Sequence, residues 1–286
     1  MRKNIKILAV ASACLIIIAA ASALRIAGRT EQATGPVTDL RIVSLGPYVT
    51  ENIALLGLED MIVGLTIHDL PERQEGKTSI GTLIDPSIET ILSLRPDIVI
   101  ASKEGNRPET VEQLNSLGIN TFVLEELYDY SDISGNFIAL AEKLGSTETA
   151  RRILEQEQAR LDAIYAGLEG NPFLEVLFLL GFRPLFTTGR TTFIGEMLSR
   201  AGGENIFRDI EKKWFSVNPE EVAKRDPEVI IYIEMEDGVE IFRERMPSVS
   251  AVKTGRIYGI EATMTASPTP RSFTDAVEQL SAILHP

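Results

Sequence analysis

The stretch STETARRILEQEQARLDAIYAGL, residues 146–168, decides how the chain is read. Ala150, Ile153, Leu154, Leu161, Ile164, Tyr165 and Leu168 recur in it at helical spacing, interrupted by Glu157 and Gln158. Gly167 weakens the last turn and Gly170-Asn171-Pro172 ends it. About 23 residues at about 1.5 Å each make a rod of about 35 Å, as long as a small domain is wide. Such a rod reads as a connector between two lobes; the alternative is a long surface helix on one domain.

On both sides of the rod, short apolar strands alternate with helical stretches. Before it, RIVSL (residues 41–45) reads as a buried strand ended by Gly46-Pro47, and Thr50-Glu51 opens a helical stretch that closes at Gly57. Strands follow at 61–65, 97–101 and 120–124, with helices at 87–94 and 109–117. After the rod, strands are expected at 175–180, 229–233 and 256–260, and helices at 193–201, 219–225 and 272–284. This alternation implies βαβ units and mainly parallel sheets. One pattern occurs in both halves, as ETILSLRPDIVI (residues 89–100) and as EEVAKRDPEVII (residues 220–231). Each places a glutamate seven residues before a proline, then an acid and a β-branched strand, and each has an earlier proline, Pro86 or Pro219, suited to a first helical turn. The fold class is α/β, with two Rossmann-like lobes (residues 39–145 and 171–286) bridged by one long helix (146–170).

Composition removes most other classes. The chain has 286 residues, a formal charge of −13, 44% hydrophobic and 24% charged residues, which excludes disordered, collagenous and polytopic membrane proteins. Residues 1–23 hold Arg2, Lys3 and Lys6 and no acid, so the remainder carries −16. A nucleic acid, itself densely negative, is a poor partner for that surface. The single cysteine, Cys14, lies in an apolar N-terminal run, and the histidines are His68 and His285. Cysteine- and histidine-built zinc sites and an internal disulfide cannot be assembled from this set. Any serine–histidine–aspartate triad would have to use His68 or His285, which is expected to face solvent.

The N-terminus has the form of an export signal. Residues 1–6 are basic, 7–20 are apolar or small, and Ala21-Ser22-Ala23 supplies a signal-peptidase pattern, so cleavage is expected before Leu24. Residues 7–24 are also just long enough to span a bilayer, which keeps an uncleaved anchor as the alternative. Ala11-Ser12-Ala13 before Cys14 lacks the large aliphatic residue of a lipoprotein site. Residues 24–38 are polar and small, as in a tether. The body is therefore placed outside the cytoplasmic membrane, periplasmic or extracytoplasmic.

RIVSLGPYVTE (residues 41–51), Leu56-Gly57-Leu58 and Val63-Gly64 resemble the opening of substrate-binding proteins of ABC importers. The subclass is the helix-bridged one that carries vitamin B12, haem and ferric siderophores. RPDIVI (95–100), FTTGR (186–190), AGGENIF (201–207), residues 218–231, and Ser267-Pro268 with Pro270-Arg271 agree in order. The likeness is nearest to cobalamin-binding members, through residues 186–189 and 202–207.

The resemblance implies a ligand cleft between the lobes with limited closure. It carries over Tyr48, His68 and Leu83 from the first lobe and Phe186, Trp214 and Met264 from the second as ligand contacts, with Lys103 and Arg190 as neighbours. Tyr48, Phe186 and Trp214 could cover the face of a planar chelate, or each could be core packing. His68 could stack on a corrin, act as an axial ligand to cobalt or iron, or hydrogen-bond Asp69. Leu83 and Ser102 stand where cobalamin-binding relatives carry large aromatics. Glu89 and Glu220 match the glutamates that meet arginines of the permease dimer; otherwise they only complement helix dipoles.

The function expected is that of a monomeric, non-enzymatic receptor that captures a corrinoid, vitamin B12, and hands it to an ABC importer permease dimer with its ATPase. Haem is the first alternative, with His68 or Tyr48 as axial ligand; a ferric siderophore is the second, calling on Arg190 and Arg271. An enzyme on the same scaffold is disfavoured, since the expected cleft residues include no paired acid–base constellation, nucleophile elbow or phosphate loop.

Overall fold

The computed structural model describes residues 40–234 and 240–286. The export signal and tether expected at 1–38 lie outside the described residues. Among those described, no helix is long and apolar enough to cross a membrane.

The first half is built on β1 (Ile42–Ser44), followed by α1 (Pro47–Leu55), β2 (Ile62–Leu65), α2 (Pro71–Gln74), β3 (Thr78–Ser79), α3 (Ile88–Ser93), β4 (Ile98–Ser102), α4 (Pro108–Ser116) and β5 (Thr121–Leu124). Its five strands run in the order β3-β2-β1-β4-β5, all parallel. Buried on both faces, the central strands are continuous β-branched runs. Ile42, Ile98 and Ile100 feed one apolar cluster, while Val43, Val99 and Ala101 feed another on the opposite face. α1 begins three residues earlier than the sequence suggests, because Pro47 occupies its first turn instead of merely ending the strand.

Two consecutive helices then cross to the second half: α5 (Tyr130–Lys143) and α6 (Thr147–Gly167). α6 is the rod read from residues 146–168. α5 escaped the sequence reading, although Asp129 and Asp132 form a capping box at its start and Ile133, Phe137 and Leu140 mark its buried stripe. α6 buries Ala150, Ile153, Glu157 and Leu161. It packs against α5 on one side and the C-terminal helix on the other.

The second half contains β6 (Leu174–Phe182), β7 (Leu185–Thr188), α7 (Phe193–Arg200), β8 (Gly203–Asn205), β9 (Trp214–Val217), α8 (Pro219–Arg225), β10 (Val229–Ile233), α9 (Glu240–Arg245), α10 (Ser250–Thr254), β11 (Ile257–Ile260), α11 (Thr263–Ala266) and α12 (Pro270–Leu284). The strand order is β11-β10-β6-β7-β9, with β8 beside β6. Pairing is mainly parallel here too, except at one side of the sheet, where β7 runs antiparallel to both β6 and β9.

The sequence repeat has a backbone counterpart. Arg95 and Asp226 are the two non-glycine residues with positive φ among those described, at 47° and 44°. Each ends the helix of its repeat and stands immediately before the proline. Pro219 enters the first turn of α8, but Pro86 lies outside α3, which Ser87 caps. His285 is not turned to solvent. It is half-buried, with Nε2 3.2 Å from the Gly202 carbonyl oxygen. A Cβ on Gly202, whose φ is +83°, would approach that nitrogen to 2.4 Å, so glycine is required there twice over.

The acid that interrupts the rod's apolar stripe is an interhelical tie. Glu157, its side chain 3% exposed, receives Arg160 Nη1 at 2.8 Å and Arg271 Nε from α12 at 3.3 Å. Arg160 also bonds Asp275 and Glu278 of α12 at 2.8 and 2.6 Å. Charge-assisted bonds of this kind contribute about 1.5–3 kcal/mol each, and their loss is partly offset by water reaching the two arginines. Glu157→Ala is therefore expected to lower stability by about 1–3 kcal/mol in urea unfolding, by shifting the midpoint with the slope unchanged.

Candidate functional site

The C-terminal ends of the strands point into the space between the halves, where the loops after β1, β2 and β3 meet the segment after β11. They enclose an open cavity of about 580 Å³. Pro47, Glu51, His68, Leu70 and Leu83 line it from the first half. Ala262–Ser267, Thr269, Ser272 and Asp275 contribute from the second, Thr265 and Pro268 being buried behind. The volume lies in the range of small-molecule sites.

Leu83 is held in a glycine cradle. A Cβ on Gly46 would come within 2.4 Å of its Cδ1, and one on Gly105 within 2.8 Å of its Cδ2. Asn106 Nδ2 donates to the carbonyls of Leu45 (2.8 Å) and Leu83 (3.0 Å), and its Oδ1 accepts from the Ser102 amide (2.8 Å). One side chain thus joins the loops after β1, β3 and β4.

His68 is exposed on the loop after β2. Of the readings open for it, a bond to Asp69 is not found. Asp69 Oδ2 turns back to accept from the Thr66 amide (2.9 Å) and hydroxyl (2.7 Å), and burial raises its carboxyl above the usual range. The two carboxylates on the cavity wall are already paired. Arg73 holds Glu51 in a fork, Nε and Nη2 each 3.0 Å from an oxygen, and Arg160 holds Asp275. No lysine or arginine is among the lining residues. Nor do the described residues contain a cluster of His, Cys, Asp or Glu able to hold a metal ion.

The six ligand-contact candidates fall into three places. His68, Leu83 and Met264 surround the cavity. Phe186 and Trp214 lie together on the β7–β9 ribbon: Phe186 pairs with Ser216 and Thr188 with Trp214, so all four side chains share one face. Phe186 is 37% exposed and Trp214 is half-buried against the main core. Tyr48 is in the core itself, 7% exposed. Its hydroxyl accepts from Asn136 Nδ2 of α5 at 3.2 Å, and burial raises its phenol far above the ordinary value. It is not among the residues that line the cavity. Lys103 and Arg190 are exposed and paired with Glu125 and Glu211.

Glu89 and Glu220 are exposed in the first turns of α3 and α8, whose caps are Ser87 and Asn218. Neither carboxylate enters an ion pair among the described residues.

Residues 42–263 match the profile of the periplasmic binding proteins. The chain belongs to that family. It is 29% identical over 247 residues to the vitamin B12-binding protein of Vibrio cholerae serotype O1, covering 85% of this chain and 88% of that one. With the vitamin B12-binding protein of Yersinia pestis it shares 30% identity over 192 residues, 67% of this chain and 68% of the relative. Among solved structures it is similar to the periplasmic vitamin B12 binding protein BtuF of Vibrio cholerae, with a TM-score of 0.74, 28% identity and coverage of 85% and 96%. The periplasmic haem-binding protein RhuT of Roseiflexus gives 0.75, 26%, and coverage of 86% and 100%. These are two-lobed α/β binding proteins, and the mixed α/β architecture described above is theirs.

The glycine cradle has a measurable consequence. In Gly46→Ala the new methyl collides with the Leu83 side chain on the cavity wall and forces it to shift, so ligand affinity is expected to fall about tenfold, or about 1.4 kcal/mol. Leu83→Ala in the same background should restore part of it, as read by equilibrium titration of both variants.

Proposed function

We propose that this periplasmic binding protein is an exported, non-enzymatic carrier that captures a corrinoid and delivers it to an ABC importer. The observation that carries the ligand class is the charge state of the cavity. Its wall is apolar at Pro47, Leu70, Leu83 and Met264, its two carboxylates are each tied to an arginine, Arg73 or Arg160, that is shared with further acids, and no lysine or arginine is among its described lining residues. A corrinoid is a bulky metal macrocycle edged with neutral amides and needs no protein ligand to its metal. Such a rim can donate to Glu51, Asp275 and the hydroxyls of Ser267, Thr269 and Ser272. The names of the vitamin B12-binding relatives support the same reading.

In this reading His68, Leu83 and Met264 touch the ligand directly, Phe186 and Trp214 cover it from the β7–β9 ribbon, and Tyr48 backs the wall. The lobes are residues 39–145 and 171–286 with 146–170 as the bridge, and 1–23 is the export signal. Haem remains a second reading on one observation, the exposed His68 imidazole at the cavity wall, which is free to ligate iron. Arg190 and Arg271, which a ferric siderophore would call on, are engaged with Glu211 and Glu157.

Titration of the purified protein with cyanocobalamin is expected to give saturable, stoichiometric binding, with hemin binding weakly or not at all. A Soret shift with hemin that is lost in His68→Ala, together with no cobalamin binding, would overturn the corrinoid assignment in favour of haem. Glu89 and Glu220 are proposed to dock the permease dimer. Glu89→Ala with Glu220→Ala is expected to leave ligand affinity unchanged and to stop uptake in reconstituted vesicles; uptake at the unaltered rate would remove them from that role.

A further inference from the structure

Across the cleft, one cation of the second half is seated in a socket of the first. Lys213 directly precedes Trp214 at the start of β9. Its Nζ is 3.0 Å from Glu104 Oε1, 3.5 Å from Glu126 Oε2 and 4.1 Å from the centroid of the Tyr128 ring. Glu104 lies in the loop after β4, and Glu126 and Tyr128 lie in the loop after β5, so these contacts cross 109 and 87 residues of sequence. The side chain of Lys213 is 20% exposed. Burial lowers its ammonium pKa, and Glu104 and Glu126 more than offset that, leaving it above its ordinary value.

The socket is held together from the first half alone. Glu104 Oε1 also accepts from the Leu127 amide at 2.7 Å, which ties the β4 loop to the β5 loop. The Tyr128 hydroxyl donates to Glu126 Oε2, the oxygen that faces Lys213, and that bond together with the ammonium keeps the Glu126 carboxyl below its usual range. An aromatic face beneath and two oriented carboxylates beside it make a site for one compact cation. β5 is the edge strand of the first sheet and β9 the edge strand of the second. The cavity is built from the loops after β1, β2, β3 and β11. The interface between the halves is therefore fastened on the β5–β9 side, one residue along the β4 loop from the glycine that packs on Leu83.

We propose that Lys213 is a positioning residue for ligand retention: seated in the Glu104–Glu126–Tyr128 socket, it holds the β5–β9 end of the cleft closed and fixes the neighbouring Trp214 against the first half. The retention part of this rests on the ligand-binding reading above; the fastening part does not. A lysine stem also lets the ammonium slide between the two carboxylates, so small rotations of one half against the other keep the charge paired.

Trp214 is the only tryptophan in the chain, so its emission reads the socket without a ligand. Lys213→Met keeps the aliphatic stem and removes the charge. It is expected to red-shift the ligand-free Trp214 emission, to increase acrylamide quenching, and to speed cyanocobalamin dissociation by about three- to tenfold with a smaller change in association. Lys213→Arg should restore all three. Raising salt should move the wild-type protein in the same direction and leave Lys213→Met unmoved, since the pair is only partly shielded from solvent. If Lys213→Met does not fold, Glu126→Gln carries the same emission and salt tests. Unchanged emission and unchanged salt response in the variant would overturn the fastening. Altered emission with unaltered dissociation would overturn the role in retention. A protein that binds no cobalamin but shows the emission and salt effects would sink the corrinoid assignment and leave the socket standing.

Discussion

The structure depends on one apolar core that does not stop at the boundary between the halves. Phe137 and Leu140 of α5, Ile153 and Leu161 of α6, and Phe273 and Val277 of α12 belong to the same buried cluster as Ile42 of the first sheet and Phe178 of the second. Tyr130 and Phe273 meet across it with ring centroids 4.7 Å apart. Pulling the halves apart would expose this surface at roughly 25 cal/mol for each square ångström. Large rotations are thereby disfavoured, and the loops at the strand ends are held facing one another at a nearly constant span.

Polar groups then decide what that span can hold. Glu157 would be an uncompensated buried charge if α6 were a free-standing surface helix, and it is tolerated because Arg160 and Arg271 reach it from either side of the α6–α12 contact. The same economy recurs at the cavity, where Glu51 and Asp275 are each met by an arginine from behind. The cavity therefore presents acceptors, with no lysine or arginine among its described lining residues. A ligand with a neutral, donor-rich rim suits it better than one with carboxylates, for which no inward cation is provided. At the Lys213 socket the charges pair across the halves instead of within one, so there electrostatics acts on the shape of the cleft.

Much of this was legible in the residues. The rod, the βα alternation and the twin helix–proline–strand segments are local patterns, carried by spacings of two to four residues and by caps, and the two left-handed residues before Pro96 and Pro227 show the twin segments to be the same construction. α5 is hidden in the sequence because its acidic approach, residues 125–132, has the composition of a polar loop, its capping box aside. The β7–β9 ribbon is hidden because its strands are short and contain threonine and serine. Of the residues singled out, His68, Leu83 and Met264 come together at the cavity. Tyr48 turns inward, because the chain continues from β1 straight into α1 and Asn136, far along the sequence, supplies the partner for its hydroxyl.

By itself, the sequence determined most of the helices and strands, the twofold construction about a long helix, the acidity of the body and its scarcity of cysteine and histidine, since all of these follow from composition and near-neighbour periodicity. Only the tertiary structure decided which side chains are turned inward and which charges are paired: Tyr48 in the core, Glu157 between two arginines, His285 over Gly202, and Lys213 in a socket built by the other half. Those outcomes depend on surfaces brought together from residues dozens to more than a hundred positions apart, and no local spacing encodes the distance between them.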